Sequence, residues 1–317
     1  MPVHPILSAF AIEPRPPKTP GGPFECPDLA ALEKQLLHKR VRRIGRFIRM
    51  ATVGAVGCLD AAGRSMAPER LGVFLGSGLA NHGEEKDVVR AVLSDAMPSP
   101  TRFANSVSNS VTFFIARALD ARGQNMLVSQ EEFSFESALM LADMALAMGE
   151  MDYALVGGAD DLGISAPKTL IRRLNMPEDI SLGEGCGWLL LGRDDGRDAL
   201  GHVVLAEQIR PPGHASEKGP PGSDGLDLIR EKILNARRPG ERVWLLPGLR
   251  VGEREMGALR EGLTGSRVVP DLDRTGVFFT ASACDVAARL KARETQGLLV
   301  YLARNAYGEA ALVILRS

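Results

Sequence analysis

A chain of 317 residues with 45% hydrophobic, 24% charged and 5% aromatic residues has the make-up of two ordinary domains or one large α/β unit, which excludes disordered, fibrous and low-complexity classes. The 38 lysines and arginines stand against 39 acidic residues, and a formal net charge of −1 provides no overall field for nucleic acid or an anionic membrane. Cys26, Cys58, Cys186 and Cys284 lie far apart without CxxC spacing, no apolar run approaches the roughly 20 residues of a bilayer span, and the first residues lack the charge and apolar pattern of a secretory signal; a cytoplasmic, reducing location without metal or disulfide framework is expected.

In chain order, residues 6–12 read as a short apolar strand, and the proline- and glycine-rich residues 14–27 as a surface loop or arm. Leu29, Leu32, Leu36 and Leu37, then Ile44, Phe47, Ile48, Ala51 and Ala55, recur at three-to-four spacing and predict two helices over 28–62. The basic run Lys39, Arg40, Arg42, Arg43, Arg46 and Arg49 lies where they meet. Residues 70–76 form a strand that turns through Ser77, Gly78 and Gly83 into a helix over 84–93, and 241–248 does the same into a helix over 252–263. A strand over 125–129, a helix over 133–148 and a strand over 153–158 make a further unit, whose order 275–280, 283–293 and 298–303 repeat. Strands alternating with helices of this length predict βαβ units in a helix-covered parallel sheet, and two copies predict an internal duplication, divided into 1–200 and 201–317. The proline- and glycine-dense residues 210–225 predict a loop joining the copies.

The segment PTRFANSVSNSVTFFIARAL followed by DYALVGGADD resembles the β-ketoacyl synthases of the thiolase-like superfamily. KRVRRIGRFIRMA leading into AAGRSMAPERLGVFLGSG, GEGCGWLL, RTGVFFTASACDVAARL and NAYGEAALVIL are similar to further stretches of that family, in the same order. The resemblance implies an α/β thiolase-like fold, two duplicated βαβ-rich halves in a layered α-β-α-β-α arrangement, with a second half shorter than usual between Gly201 and Arg242. It also implies a chemistry: a cysteine thiolate carrying the acyl group and two histidines that bind and decarboxylate the extender. This chain departs from that pattern. The segment MLVSQEEFSFESALMLA, where the family's cysteine belongs, has none; counting back from Gly149 places its position at Glu132, whereas alignment on the strand side favours Gln130. Pro247 stands nearest the first histidine and Val277 in place of the second, and neither can exchange a proton. The five histidines, His4, His38, His82, His202 and His214, fall in none of these motifs. All three catalytic roles are therefore expected to be vacant.

Some relatives carry glutamine for the cysteine, as decarboxylases or inert chain-length factors, which makes Gln130 and Glu132 weak catalytic candidates. Against that, Ser129 to Glu132 spell an S-x-x-E capping box at a helix start, the favoured reading. Gly183, Gly185 and Gly187 precede a strand rather than open a helix, so they are turn glycines and not a dinucleotide fingerprint. Cys186 and Cys284 read as core residues. Lys39, Arg40, Arg43 and Arg46 are either a solvated face or, as the resemblance implies, a docking surface for acyl carrier protein. The resemblance also places Phe103, Asn105, Asn109, Thr112, Phe133 and Phe135 near the acyl pocket and dimer face, the phenylalanines at 103, 113 and 114 reading otherwise as core; it implies pairing through residues 153–158. The expectation is a non-catalytic subunit of chain-length-factor type that heterodimerises with an active β-ketoacyl synthase, shapes its acyl tunnel and serves a type II fatty-acid-like or polyketide pathway, such as one making aryl polyenes, without cofactor or metal. A homodimeric acyltransferase or malonyl decarboxylase using Glu132 or Gln130, and a carrier-binding scaffold, are the alternatives.

Overall fold

Strands and helices alternate through the chain in two successive runs of the same plan. The computed structural model describes residues 3–17, 24, 25, 28–37, 42–63, 66–163, 167–174, 176, 180–193, 198–210, 225–269 and 272–317. The first run comprises β1 (His4–Ile12), α1 (Leu29–Leu36), α2 (Arg46–Ala62), β2 (Leu71–Gly76), α3 (His82–Leu93), α4 (Pro100–Ser106), α5 (Ser110–Leu119), β3 (Asn125–Val128), α6 (Ser134–Ala147), β4 (Tyr153–Asp160), α7 (Pro167–Arg173) and β5 (Gly185–Gly192). The second comprises β6 (Gly201–Ile209), α8 (Leu226–Ala236), β7 (Val243–Pro247), α9 (Glu253–Glu261), β8 (Ser266–Val268), α10 (Leu272–Thr275), α11 (Ala281–Ala292), β9 (Leu298–Arg304) and β10 (Ala310–Arg316).

Among the described residues these strands form one ten-stranded sheet in the order β3-β2-β4-β5-β1-β6-β10-β9-β7-β8. Replacing each strand of the first five by the strand five later gives the second five in reverse order. The pairings repeat as well: β3-β2-β4 and β8-β7-β9 are parallel, whereas β4-β5-β1 and β9-β10-β6 are antiparallel. The two sets join where His4, Pro5 and Ile6 pair with Val203, His202 and Gly201.

Layering follows from which faces are apolar. On β2, Leu71, Val73 and Leu75 pack with Ile48, Met50, Val53 and other residues of α2, while Phe74 points the opposite way. That second face belongs to a core shared by both strand sets, with Ala138, Leu139 and Leu146 of α6 and Val286, Ala287 and Leu290 of α11 set between Val156 and Leu189 on one side and Leu246, Tyr301 and Val313 on the other. The outer face of the second set packs against Ile229 and Ile233 of α8 and Met256 and Leu259 of α9. Helix, sheet, helix, sheet and helix layers result, the thiolase-like arrangement. Central strands are apolar on both faces, so GCGWLLLG of β5 is buried throughout instead of alternating. Trp188, Phe74, Phe133 and Phe135 are each essentially inaccessible, and burial of such side chains contributes roughly 1.5–3 kcal/mol apiece. At Gly187 the fit leaves no room for a side chain, since a Cβ there would overlap the backbone of Ala283 on α11.

Three expectations change. Residues 275–280 form no strand: Thr275 ends α10, Gly276 has φ +68°, and Val277 makes only an isolated bridge with Leu182, so β8 is the second-run counterpart of β3. β4 is hydrogen-bonded to β2 on one side and β5 on the other, which leaves 153–158 unable to extend a sheet into another subunit; the edge strands are β3 and β8. The capping box at Ser129 is replaced by a different turn, described below. Helix α8 was not anticipated, and residues 211–224 of the expected joining loop lie outside the described residues.

Candidate functional site

The turn between β3 and α6 is built by hydrogen bonds that Ser134 makes to its own chain. Ser134 Oγ accepts from Gln130 N at 2.9 Å and donates to the Glu131 carbonyl at 2.8 Å, drawing residues 131–133 into one turn of 3-10 helix. Glu131 takes up the bend with φ +47°, an uncommon conformation for a residue with a side chain. No side chain caps the first residues of α6, so Glu132 is not reaching back to the turn. Its carboxylate instead accepts from Arg250 Nε at 2.7 Å.

Arg250 sits in the loop after β7, itself at φ +60°. Glu132 is 3% exposed and the Arg250 side chain 16%, so this ion pair is largely removed from water. Pro247, three residues earlier, is locked into β7 opposite Leu302. Val277 is fully buried, packed with Leu182, Leu249 and Phe279, and Gly183 N donates to its carbonyl at 3.0 Å. The turn before α6, the loop after β7 and the turn at Gly276 thus meet, yet where they meet an ion pair and aliphatic packing stand. Charge-assisted, buried carboxylate–guanidinium contacts are costly to break, because either partner left alone keeps an uncompensated charge. Gln130 is likewise occupied: its Oε1 accepts from Ser137 Oγ at 2.5 Å and from Gln208 Nε2 of β6 at 2.9 Å.

A second clasp lies close in the fold. Asp160, the last residue of β4, is fully buried and accepts from Ser77 Oγ (2.8 Å), Leu79 N (3.0 Å), Thr280 N (3.1 Å) and Thr280 Oγ1 (2.9 Å). Burial pushes its carboxyl up to about 6, against the pull of these donors. Between the two central helices Ser282 Oγ donates to Glu136 Oε1 at 2.7 Å; burial pushes Glu136 up to about 7, and its Oε2 has no hydrogen-bond partner among the described residues.

The thiols of Cys58, Cys186 and Cys284 are buried, and burial pushes that of Cys58 up to about 12. Among the described residues no group of three or more histidine, cysteine or carboxylate side chains could hold a metal ion, and no helix is long and apolar enough to cross a membrane.

The remaining sequence candidates separate. Phe133 and Phe135 lie in the core between the strand sets. Asn105 is buried and donates from Nδ2 to the Arg43 carbonyl at 2.8 Å; Thr112 Oγ1 donates to Asn109 O at 3.0 Å. Phe103 and Asn109 are on the surface, Phe103 60% exposed. Lys39 and Arg40 lie outside the described residues. Arg43 is exposed, whereas Arg46 is committed to Glu184 at 2.5 and 3.3 Å, a carboxylate that also accepts from Leu162 N. Arg250, Asp160 and Glu184 were missed. Arg250 lies three residues past Pro247, and Asp160 and Glu184 lie inside the stretches DYALVGGADD and GEGCGWLL, but none of the three carries a periodic signal.

Residues 18–177 match the β-ketoacyl synthase N-terminal domain family. The chain belongs to the β-ketoacyl synthase family. Solved ketosynthases superimpose on it over nearly its whole length. The ishigamide ketosynthase/chain length factor is 22% identical with a TM-score of 0.71, covering 99% of each chain. A β-ketoacyl synthase from Burkholderia phymatum is 14% identical with a TM-score of 0.78, over 100% of this chain and 99% of that one. A type II polyketide ketosynthase, solved with its acyl-carrier protein and bound to the hexaketide, is 14% identical with a TM-score of 0.73 over 99% of each. No curated protein sequence matches significantly. These likenesses establish a ketosynthase fold, and it is on that fold that the Glu132–Arg250 pair has to be interpreted.

Proposed function

We propose that this protein is a non-catalytic ketosynthase-like subunit that pairs with an active β-ketoacyl synthase and shapes the acyl tunnel of the pair, in the manner of a chain-length factor. The observation that carries this reading is the buried Glu132–Arg250 ion pair at the turn where the family places its nucleophile, with Pro247 and Val277 where histidines are expected. A carboxylate held this way has no thiol to form a thioester, and no histidine among the described residues contacts it, so neither acyl transfer nor extender decarboxylation has its usual groups. This weighs against Glu132 as a nucleophile, and the Gln208 and Ser137 bonds weigh against Gln130.

The pairing side of the proposal rests on surface chemistry. β3 is an unpaired sheet edge carrying half-exposed Met126, and α4, α5 and the turn between them expose Phe103, Phe113 and Val107. A strand edge beside apolar side chains is a surface that association covers. One structural neighbour is a ketosynthase/chain length factor and another a ketosynthase in complex with its acyl-carrier protein, which agrees with a synthase partner and a carrier-borne chain. We assign carrier docking to Arg43, with Lys39 and Arg40 beside it in sequence, and place the subunit in type II fatty-acid-like or polyketide synthesis of the aryl-polyene kind.

Co-expression with the ketosynthase encoded nearest to it, followed by light scattering and a condensation assay, tests the reading. The expected result is a 1:1 complex whose activity needs the partner's cysteine, with no activity from this chain alone. A self-sufficient homodimer that consumes malonyl carrier protein would overturn it and make Glu132 the first residue to replace.

A further inference from the structure

A cluster of arginines gathers at the start of β7, at the opposite end of that strand from the loop that holds Arg250. Trp244 packs with the central layer, half-buried, and its indole Nε1 donates to Gln296 O at 3.0 Å. Two guanidiniums stand over its ring. Arg242, two residues earlier in the chain, lies 5.6 Å from the ring centre, and Arg267, the partner of Trp244 in the parallel register with β8, lies 6.0 Å from it. Both arginines are exposed, and neither side chain has a hydrogen bond or ion pair among the described residues. Arg237 adds a third guanidinium: its Nε donates to Glu241 O at 2.9 Å, and a Cβ on Gly265, next to the start of β8, would lie 3.7 Å from its Nη2. The acceptors nearby are already used. Glu241, 11% exposed, accepts from Arg316 at 2.7 and 3.3 Å and from Arg238 N at 2.9 Å. Glu294 is held by Arg274, Gln296 O by the indole, Arg242 O by Leu298 N and Leu263 O by Ser266 N. Stacking on one indole therefore holds two donor-rich cations beside each other at the surface with their charge unmatched.

We propose that this surface docks an acidic segment of a partner protein, whose aspartate or glutamate side chains pair with Arg242 and Arg267 while its chain lies against Trp244. A half-buried tryptophan rimmed by arginines has the make-up of a protein-binding hot spot, and arginine clusters recognise acidic motifs through paired N–H donors. The formal net charge of −1 provides no wider field for nucleic acid, and the exposed guanidiniums face open solvent instead of enclosing a small ligand. β8 and β3 are opposite edges of the ten-stranded sheet, so an acidic partner here and a subunit covering β3 can be held at the same time. The docking inference does not rest on the pairing reading.

The chain has two tryptophans and Trp188 is fully buried, so the indole N–H resonances of the full-length protein supply a reporter at the site and an internal control for folding. Titration with an acetylated, amidated hexaglutamate peptide in low salt is expected to shift the Trp244 signal saturably and leave that of Trp188 in place, with affinity falling as sodium chloride is raised. Arg242→Gln/Arg267→Gln is expected to weaken this binding roughly tenfold or more, whereas Arg254→Gln, at an exposed arginine of α9, leaves it unchanged. Arg242→Glu/Arg267→Glu is expected to lose hexaglutamate and bind hexalysine in its place. Absence of a shift, shifts that sodium chloride alone reproduces, or binding of hexaglutamate that survives in both double variants overturns the proposal. Tighter saturation by inorganic phosphate or by hexauridylate than by hexaglutamate overturns it too, and assigns the surface to a free anion or to RNA.

Discussion

Helices α6 and α11 hold equivalent places in the two strand sets, side by side in the central layer, yet they begin differently. α6 starts from a strained turn whose Glu132 reaches across to Arg250 of the second set. α11 starts at Thr280, whose backbone and hydroxyl both donate to Asp160 of the first set. Each helix N-terminus is thus clasped to the opposite half through a buried acid, but one clasp is a full ion pair and the other a set of neutral donors around a carboxyl. In this family the α6 turn is where a nucleophile is expected. The comparison teaches that two duplicated helix starts reach the opposite half by the same kind of bond made with different chemistry, an ion pair at Glu132 and neutral donors around Asp160.

The largest effect is expected at the charged clasp. Arg250→Met leaves Glu132 buried without counter-charge and lowers unfolding free energy by about 3–5 kcal/mol in urea titration, and Glu132→Leu/Arg250→Met recovers most of it. A single-variant loss near zero would show that the pair is incidental and would reopen Glu132 to a chemical role.

Glu136, between the two helices, comes next. Its carboxyl lies near 7 in the folded protein against an ordinary 4.5, so the stability it allows is complete below about pH 4.5 and is lost as pH rises through 7. Glu136→Gln is therefore expected to match the parent near pH 4.5 and exceed it at pH 8, by roughly 1–3 kcal/mol, in paired melts across that range. Identical pH profiles would mean that water or rearrangement relieves the buried charge.

At the neutral clasp, Thr280→Val removes one of several donors to Asp160 and is expected to cost about 1 kcal/mol, less than the Arg250 change. It also pushes the Asp160 carboxyl above its value of about 6, measurable by carbon-detected titration of that residue. Equal losses at Thr280 and Arg250 would erase the distinction between the clasps. Arg43→Ala, on the exposed surface, is expected to leave stability within about 0.5 kcal/mol while weakening carrier-protein binding.

Much of the fold was legible because aliphatic periodicity reports burial. The strands over 70–76 and 153–158 and the helices over 84–93 and 133–148 stand close to where spacing places them. The stretch 275–280 misled for a physical reason: VFF is apolar because it is buried beneath the glycine-rich turn at Leu182, and short apolar runs do not distinguish strand from buried turn. The dimer strand misled because the strand with the strongest pattern is the one covered on both sides, while the edge strand β3 is short and half exposed.

By itself the sequence determined the duplicated α/β plan, the family, and the absence of cysteine and histidine from the three motifs, since those depend on residue type and order along the chain. Tertiary structure decided what occupies their place. Glu132 and Arg250 are 118 residues apart and Asp160 and Thr280 120, and only the packing of one strand set against the other brings each pair within hydrogen-bond reach. A local reading of Ser129 to Glu132 gave a helix cap, the best bond available within one turn; burial supplied a guanidinium instead, and away from water a charge-assisted bond outweighs a cap.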